Sequence, residues 1–473
     1  MRRAIVASIP LLLVAAVLAA VAPTRQTPAA PERPNFVLIL ADDLGYGEVG
    51  AFGQAEIQTP HIDGLARQGL RFRQFYSSNP LCAPARCSLM TGRHVAHCRV
   101  WGNDAGYLFD EDVTVAEVLD RAGYTSGVFG KWGLSWNDHP ESFPTNQGFA
   151  RFFGYLDQRH AHSYFPTFLV RDAGERVPLD NVVPNEGKYG QGDATVEKTY
   201  SDDLIADEAL AFVRENKDRR FFLYYAPTVP HINNEGAKAA DGGFEVPDLG
   251  IYKDRPWPLP KKSYAAMISR LDTNVGRILA LLKELDLERN TVVLFTSDNG
   301  STFLKSADDG KTNIVGDWFN GRGPFRGYKY DVYEGGIREP TILRWPGRVP
   351  EGGTTNAIGW FPDLLPTFAE MAGAPVPQGV DGRSLAAIFS GGEMDTAERE
   401  LYWYAQDWPS EAVRAGRWKA VWTRGGTELF DLVADPSETH NVAPAHPEEL
   451  ARLEAIRVRE RGERPPMVPV KQP

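Results

Sequence analysis

The chain has 473 residues, 42% hydrophobic and 24% charged, the balance of an ordinary globular protein with length enough for two or three domains. Its formal net charge of −11 excludes a general binder of nucleic acid, because no basic excess offsets phosphate repulsion. A small anion is not excluded, since a few Arg and Lys in one pocket hold it whatever the whole surface carries.

The N-terminus reads as an export signal. Met1-Arg2-Arg3 is basic, Ala4 to Ala22 is almost wholly apolar, and small residues close it. Residues 1–22 are therefore expected to be a cleaved signal peptide rather than a stable membrane anchor, and residues 23–34 a Pro/Ala-rich linker. The protein is then periplasmic or secreted. Its three cysteines, Cys82, Cys87 and Cys98, crowd into one short stretch and make no disulfide framework for a chain of this size. If Cys82 is consumed chemically, Cys87 and Cys98 remain either as a pair or as two buried thiols.

From Asn35 to about Pro375, short apolar runs alternate with helical segments, the signature of an α/β domain with a mostly parallel sheet. Phe36 to Leu40 is a continuous apolar run, as a strand buried on both faces requires. Similar runs start at Gly127, Phe221 and Thr291. Thr59-Pro60 opens a helix that Gly69 closes, and Thr114 with Glu117 forms a capping box before a stop at Gly123. Between Tyr264 and Leu285, apolar residues recur every three or four positions, which predicts one buried helical stripe. After the Pro/Gly-rich stretch Gly373 to Gly382 the pattern changes. Residues 376–463 are expected to form a small α+β subdomain of short strands around Leu401, Ala412, Lys419 and Glu428, then a helix over Pro447 to Arg459. Residues 464–473 are read as a tail.

The apolar runs end in residues that carry chemistry. The first leads into Asp42-Asp43, the Thr291 run into Asp298-Asn299, the Phe221 run into His231, and the Val128 run into Lys131. Ligands of open α/β sheets bind at the carboxyl ends of the strands, so four such ends point to one crevice. Asp42, Asp43, Asp298 and Asn299 offer hard oxygen donors only, which select Ca2+ or Mg2+ over zinc. They are too few to fill a calcium shell of about six to eight oxygens, leaving room for substrate and a nucleophile.

Cys82-Ala83-Pro84-Ala85-Arg86, continuing to Thr91-Gly92-Arg93, resembles the type I sulfatases, whose signature is C-x-P-x-R followed by T-G-R. Gly130-Lys131-Trp132, Pro227 to His231, Arg326 to Lys329 with Glu334 to Pro340, and the C-terminal Arg414 to Lys419, Glu428 to Leu432 and Asp435 to Asn441 extend the likeness from about Asn35 to Ala443. The resemblance implies an alkaline-phosphatase-like fold: a large, mixed, mostly parallel sheet flanked by helices. It also implies that a formylglycine-generating enzyme oxidises Cys82 to formylglycine during maturation. Ca2+, in preference to Mg2+, would be held by Asp42, Asp43, Asp298, Asn299 and the modified Cys82. Arg86 would orient the hydrated aldehyde, Lys131 and Lys329 would hold sulfate oxygens, and His231 is the candidate general acid. The substrate would be a sulfated small molecule or glycan. Two departures stand out: Ala85 replaces the family's usual Ser, and Gly133 replaces a histidine that often follows Lys-Trp. Trp136, His139 and Tyr164 are candidates for the substrate entrance, and Arg159 to His162 reads as a polar loop. A phosphonate monoester or phosphodiester hydrolase of the same superfamily, and a non-catalytic binder of sulfated glycans, are the competing readings.

Overall fold

The computed structural model describes residues 33–303, 305–308, 311–406 and 410–462, so the expected signal peptide, most of the linker and the tail lie outside the described residues. The strands, in chain order, are β1 (Asn35–Ala41), β2 (Leu70–Tyr76), β3 (Thr125–Lys131), β4 (Arg151–Tyr155), β5 (Phe168–Arg171), β6 (Glu175–Pro178), β7 (Phe221–Ala226), β8 (Thr291–Ser297), β9 (Lys305–Asp308), β10 (Lys311–Ile314), β11 (Thr341–Arg344), β12 (Gly353–Trp360), β13 (Glu400–Ala405), β14 (Ser410–Ala415), β15 (Trp418–Thr423) and β16 (Gly426–Asp431). The helices are α1 (Pro60–Arg67), α2 (Cys82–Thr91), α3 (Val115–Arg121), α4 (Ser201–Glu215), α5 (Leu259–Glu284), α6 (Glu334–Ile337), α7 (Leu364–Ala372), α8 (Ala386–Phe389) and α9 (Pro447–Gly462).

Ten strands form one sheet in the order β12-β2-β11-β8-β1-β7-β3-β4-β5-β6. Its centre, β8-β1-β7-β3-β4, is parallel throughout, while β11, β5 and β6 pair antiparallel. Every residue of β1 is buried, which explains its unbroken apolar run. Its side chains alternate between two cores. Phe36, Leu38 and Leu40 join α2, α3 and α7 on one face, and Val37, Ile39 and Ala41 join α1, α4 and α5 on the other. The sheet is thus the middle of three layers.

The predicted helix ends hold where local chemistry sets them. Pro60 is the first residue of α1, and Thr114 caps α3 by accepting the Glu117 N–H while Glu117 accepts that of Thr114. The stripe from Tyr264 lies in a longer helix than expected, beginning at Leu259 with Pro260 in its first turn. The hairpin β9–β10 and the strands β5 and β6, which close one end of the sheet, are additions to the expected pattern. At the C-terminus, β13 to β16 form an antiparallel meander, with Leu453 and Ile456 of α9 packed against Val413, Ala420 and Leu429.

Candidate active site

Because β1, β7, β3 and β8 run parallel, their carboxyl ends open on the same side, and the loaded residues meet there. Cys82 is the first residue of α2, so it sits at the positive end of the helix dipole. Its thiol donates toward Asp42 Oδ1 at 3.5 Å and Asp43 Oδ1 at 3.7 Å, and Lys329 Nζ lies 3.3 Å from the sulfur. Gly92 ends the same helix in the left-handed conformation, φ 68°, donating its N–H to the Ser88 carbonyl. That accounts for the glycine of T-G-R.

Arg86, four residues after Cys82 on the same helix face, is wholly buried. Its Nε donates to Asp298 Oδ2 at 3.0 Å, its Nη2 lies 2.9 Å from the same oxygen, and its Nη1 donates to the Lys131 carbonyl at 2.7 Å. It therefore fastens α2 to the ends of β8 and β3. Lys131 Nζ reaches Asp42 Oδ2 at 2.7 Å, and Lys329 Nζ reaches both oxygens of Asp43 at 2.7 and 2.8 Å. Asp298 Oδ1 accepts the Asp43 N–H, and Asn299 Nδ2 donates to Asp43 Oδ1 at 2.8 Å. All these side chains are buried, and formal charge balances: Asp42, Asp43 and Asp298 against Arg86, Lys131 and Lys329.

Burial alone pushes the carboxyls up, yet Lys131 and its cationic neighbours hold Asp42 far below its usual range, and Lys329 and His231 hold Asp43 down as well. Asp298 is pushed up to about 6 by burial and by Asp42, despite Arg86. Burial, with Asp298 beside it, drives the Cys82 thiol well above its ordinary value, so the unmodified cysteine is a poor nucleophile. His231 is lowered to about 3 by burial and by Lys329. Its Nδ1 bonds to the Ile232 carbonyl at 2.7 Å, and its Nε2 faces Asp43 Oδ2 at 3.6 Å.

Asp42, Asp43 and Asn299 offer oxygen donors that fit a hard cation, whereas Asp298, tied to Arg86, lies outside the group of side chains close enough to share one ion. Asp42, Asp43, Cys82 and His231 bring ligand atoms within 4.8 Å of one another, and the buried Oδ1 of Asn299 has no hydrogen-bond partner. An orphaned amide oxygen beside three buried carboxylates is costly unless a cation takes it.

The surrounding residues depart from expectation in places. Tyr164 is fully buried, not at an entrance; its hydroxyl bonds the carbonyls of Thr228 and His231 at 2.7 and 2.5 Å and so props the His231 loop. Trp136 is buried against Tyr189, while His139 stacks on Tyr107. Cys87 and Cys98 are two buried free thiols. At Gly133, φ is 72°, and a Cβ would stand 2.3 Å from Gln158 Nε2, so the Gln158 carboxamide fills the space a side chain there would claim. Gln158 was not legible from sequence; only the glycine hinted at a neighbour pressing in. Asn103, whose Oδ1 accepts the Ala83 N–H beside Cys82, was missed for the same reason.

The family model described as Sulfatase matches residues 34–374. The chain belongs to the sulfatase family. A second model, N-sulphoglucosamine sulphohydrolase, C-terminal, matches residues 326–456. The chain is 31% identical over 429 residues to N-acetylgalactosamine-6-sulfatase of Canis lupus familiaris, covering 85% of this chain and 74% of that one. It is 33% identical over 427 residues to arylsulfatase A of Homo sapiens, covering 85% and 78%. Among solved structures, Ps i-CgsB aligns with a TM-score of 0.75 at 27% identity, over 92% of this chain and 94% of that one. As a sulfatase the chain is a sulfuric ester hydrolase, and its ten-stranded sheet with a C-terminal four-stranded sheet is the fold of those neighbours. Among the described residues, no helix is long and apolar enough to cross a membrane.

Proposed function

We propose that this sulfatase cleaves a carbohydrate sulfate ester with Cys82 matured to formylglycine. The observation that carries the reading is the placement of residue 82 at the N-terminus of α2, within 3.5 to 3.7 Å of Asp42 and Asp43 and 3.3 Å of Lys329. A thiol held protonated there is of little use to hydrolysis. A hydrated aldehyde at the same atom supplies one hydroxyl to accept the sulfuryl group and a second whose deprotonation expels sulfate and restores the aldehyde.

Asp42, Asp43, Asn299 and residue 82, with Asp298 beside them, would hold Ca2+, which when bound neutralises sulfate oxygen and favours ionisation of a nearby hydroxyl. Without it the site is formally neutral. A divalent cation entering with a monoanionic ester leaves one positive charge over, the condition that favours an anionic nucleophile at residue 82. Lys131 and Lys329 would donate to the sulfate oxygens and Arg86 would fix the geometry of the α2 N-terminus. The proton for the leaving oxygen would come from the imidazole side of the site, His231 in the first instance.

Support for a glycan substrate comes from the relatives, one named for N-acetylgalactosamine 6-sulfate and another, Ps i-CgsB, solved in complex with k-i-k-neocarrahexaose. The basic, then apolar N-terminus supports export to the periplasm or beyond, with maturation by a formylglycine-generating enzyme on the way. Peptide mass analysis of protein expressed with that enzyme tests the reading. The Cys82 peptide should be lighter by the difference between CH2–SH and CHO, and Cys82→Ser should lose turnover, with a sulfated serine accumulating. Multiple turnover by Cys82→Ser would overturn the mechanism, as would a preference for aryl phosphate over aryl sulfate esters in the matured protein.

A further inference from the structure

Tyr330 follows Lys329 directly, has no part in the scheme above, and holds a backbone conformation that aromatic residues avoid. Its φ is 79°. Among the described residues, the other non-glycine positions with positive φ are Asp43, Asp172, Asp286, Asn320 and Glu438. All but Glu438 are Asp or Asn, whose short polar side chains tolerate the left-handed region. A bulky side chain there is strained. Strain of this kind persists only where the surroundings fix the backbone, and it gathers at functional sites.

The surroundings do fix it. Lys329 N–H donates to the Ser301 carbonyl at 2.9 Å, just past Asp298 and Asn299. Tyr330 N–H donates to the Pro80 carbonyl at 3.0 Å, two residues before Cys82, and Asp331 N–H closes the turn on the Tyr328 carbonyl at 2.9 Å. All three are backbone bonds, which a glycine at 330 would make without strain. What the tyrosine adds is its ring. Lys329 Nζ lies 5.8 Å from the ring centroid and 3.3 Å from Cys82 Sγ. Cys82 and Lys329 are buried whereas Tyr330 is half-buried, so the ring stands where the floor of the crevice gives way to solvent.

We propose that Tyr330 is a substrate-binding residue that selects saccharide esters, its ring stacking on the C–H face of the pyranose whose sulfate Lys329 holds. The hydrogens on that face of a sugar are slightly positive and the aromatic face is negative, so the two attract while burying apolar surface. A sugar is joined to its sulfate through one oxygen or one exocyclic carbon and oxygen, which keeps it within a ring's width of the bound anion. The strained backbone then has a return, because glycine would give the turn but no platform. The assignment deepens the carbohydrate reading above and rests on it.

The test uses the full-length matured protein with N-acetylgalactosamine 6-sulfate and k-i-k-neocarrahexaose as sugar esters. Inorganic sulfate, as a competitive inhibitor, reads the lysine pocket alone. Tyr330→Gly and Tyr330→Asn remove the ring and leave residues at ease with the backbone. Both should raise KM for the hydrolysed sugar ester about tenfold while the Ki of sulfate stays within about twofold. Tyr330→Phe should keep both constants within about twofold of the wild type. An unchanged KM in the two ringless variants overturns the assignment. So does a parallel rise in KM and in the Ki of sulfate, which would make Tyr330 a support for Lys329 only; in either case wild-type turnover of the sugar ester leaves the carbohydrate reading standing. A wild-type protein that hydrolyses p-nitrophenyl sulfate but neither sugar ester overturns that reading and this assignment together.

Discussion

At the scale of single residues, Gly133 shows how a departure from the family pattern is accommodated. The backbone there is left-handed, which costs a residue with a Cβ about 1–2 kcal/mol, and the Cβ would also meet Gln158 Nε2 at 2.3 Å. The obstacle is the end of a flexible side chain, so the two costs are separable. Gly133→Ala should destabilise the protein by about 2–3 kcal/mol in denaturant unfolding, the backbone share plus the displacement of a buried amide. In a Gln158→Ala background the same substitution should cost only the backbone share, about 1–2 kcal/mol. Equal costs in the two backgrounds would mean that Gln158 does not occupy this space.

Elements bring the site together, and Arg86 is where three of them are tied. Its guanidinium links α2 to Asp298 after β8 and to the Lys131 carbonyl at the end of β3, in the fork geometry that a lysine lacks. Arg86→Lys should therefore lose about 1–3 kcal/mol of stability, because the buried Asp298 keeps a cation nearby but loses the Nε donor, and turnover should fall with it. Calorimetry at neutral pH checks the first part; an unchanged melting temperature would show that another donor compensates. Much of this tier is legible in the sequence. Unbroken apolar runs mark the central strands, and residues just past them, such as Asp42 and Asp298, are placed by the parallel order alone. What could not be read are contacts made by loops. The parallel stacking of His162 on His231, the burial of Tyr164 and the pressing of Gln158 on Gly133 depend on chain reversals that have no period or spacing signal.

Across the whole molecule, segments that look like site motifs hold the C-terminal sheet to the catalytic crevice. Glu334, just after the Lys329 segment, accepts Lys419 Nζ at 2.9 Å, Arg338 Nη1 at 3.0 Å and the Tyr76 hydroxyl at 2.7 Å, and Arg414 bonds that same hydroxyl at 2.5 Å. Glu438 Oε1 lies 2.9 Å from Lys419 Nζ, and its Oε2 accepts the Glu334 N–H at 2.7 Å. Burial pushes both carboxyls up. For Glu334 the nearby Lys419, Arg338 and Arg414 prevail and bring it down to about 2, whereas Glu438 rises to about 7. The signs are opposite. Glu334 stabilises the fold above its unfolded value near 4.5, and that contribution is lost as pH falls through about 2. Glu438 is protonated in the folded state up to about pH 7, so its contribution diminishes as pH rises from about 4.5 to 7 and the buried carboxylate is forced to ionise. Glu438→Gln keeps an acceptor for the Glu334 N–H while removing that titration. The variant should match the wild type near pH 5 and melt higher near pH 8, with a gain of up to about 3 kcal/mol from a displacement of this size. Melting curves across pH 4.5 to 8 decide it, since this window is set by the raised value of Glu438 and lies above that of Glu334. A variant that melts lower at pH 8 than the wild type would mean that ionised Glu438 is a net stabilising partner of Lys419, and that the closing sheet is held by two ion pairs rather than one.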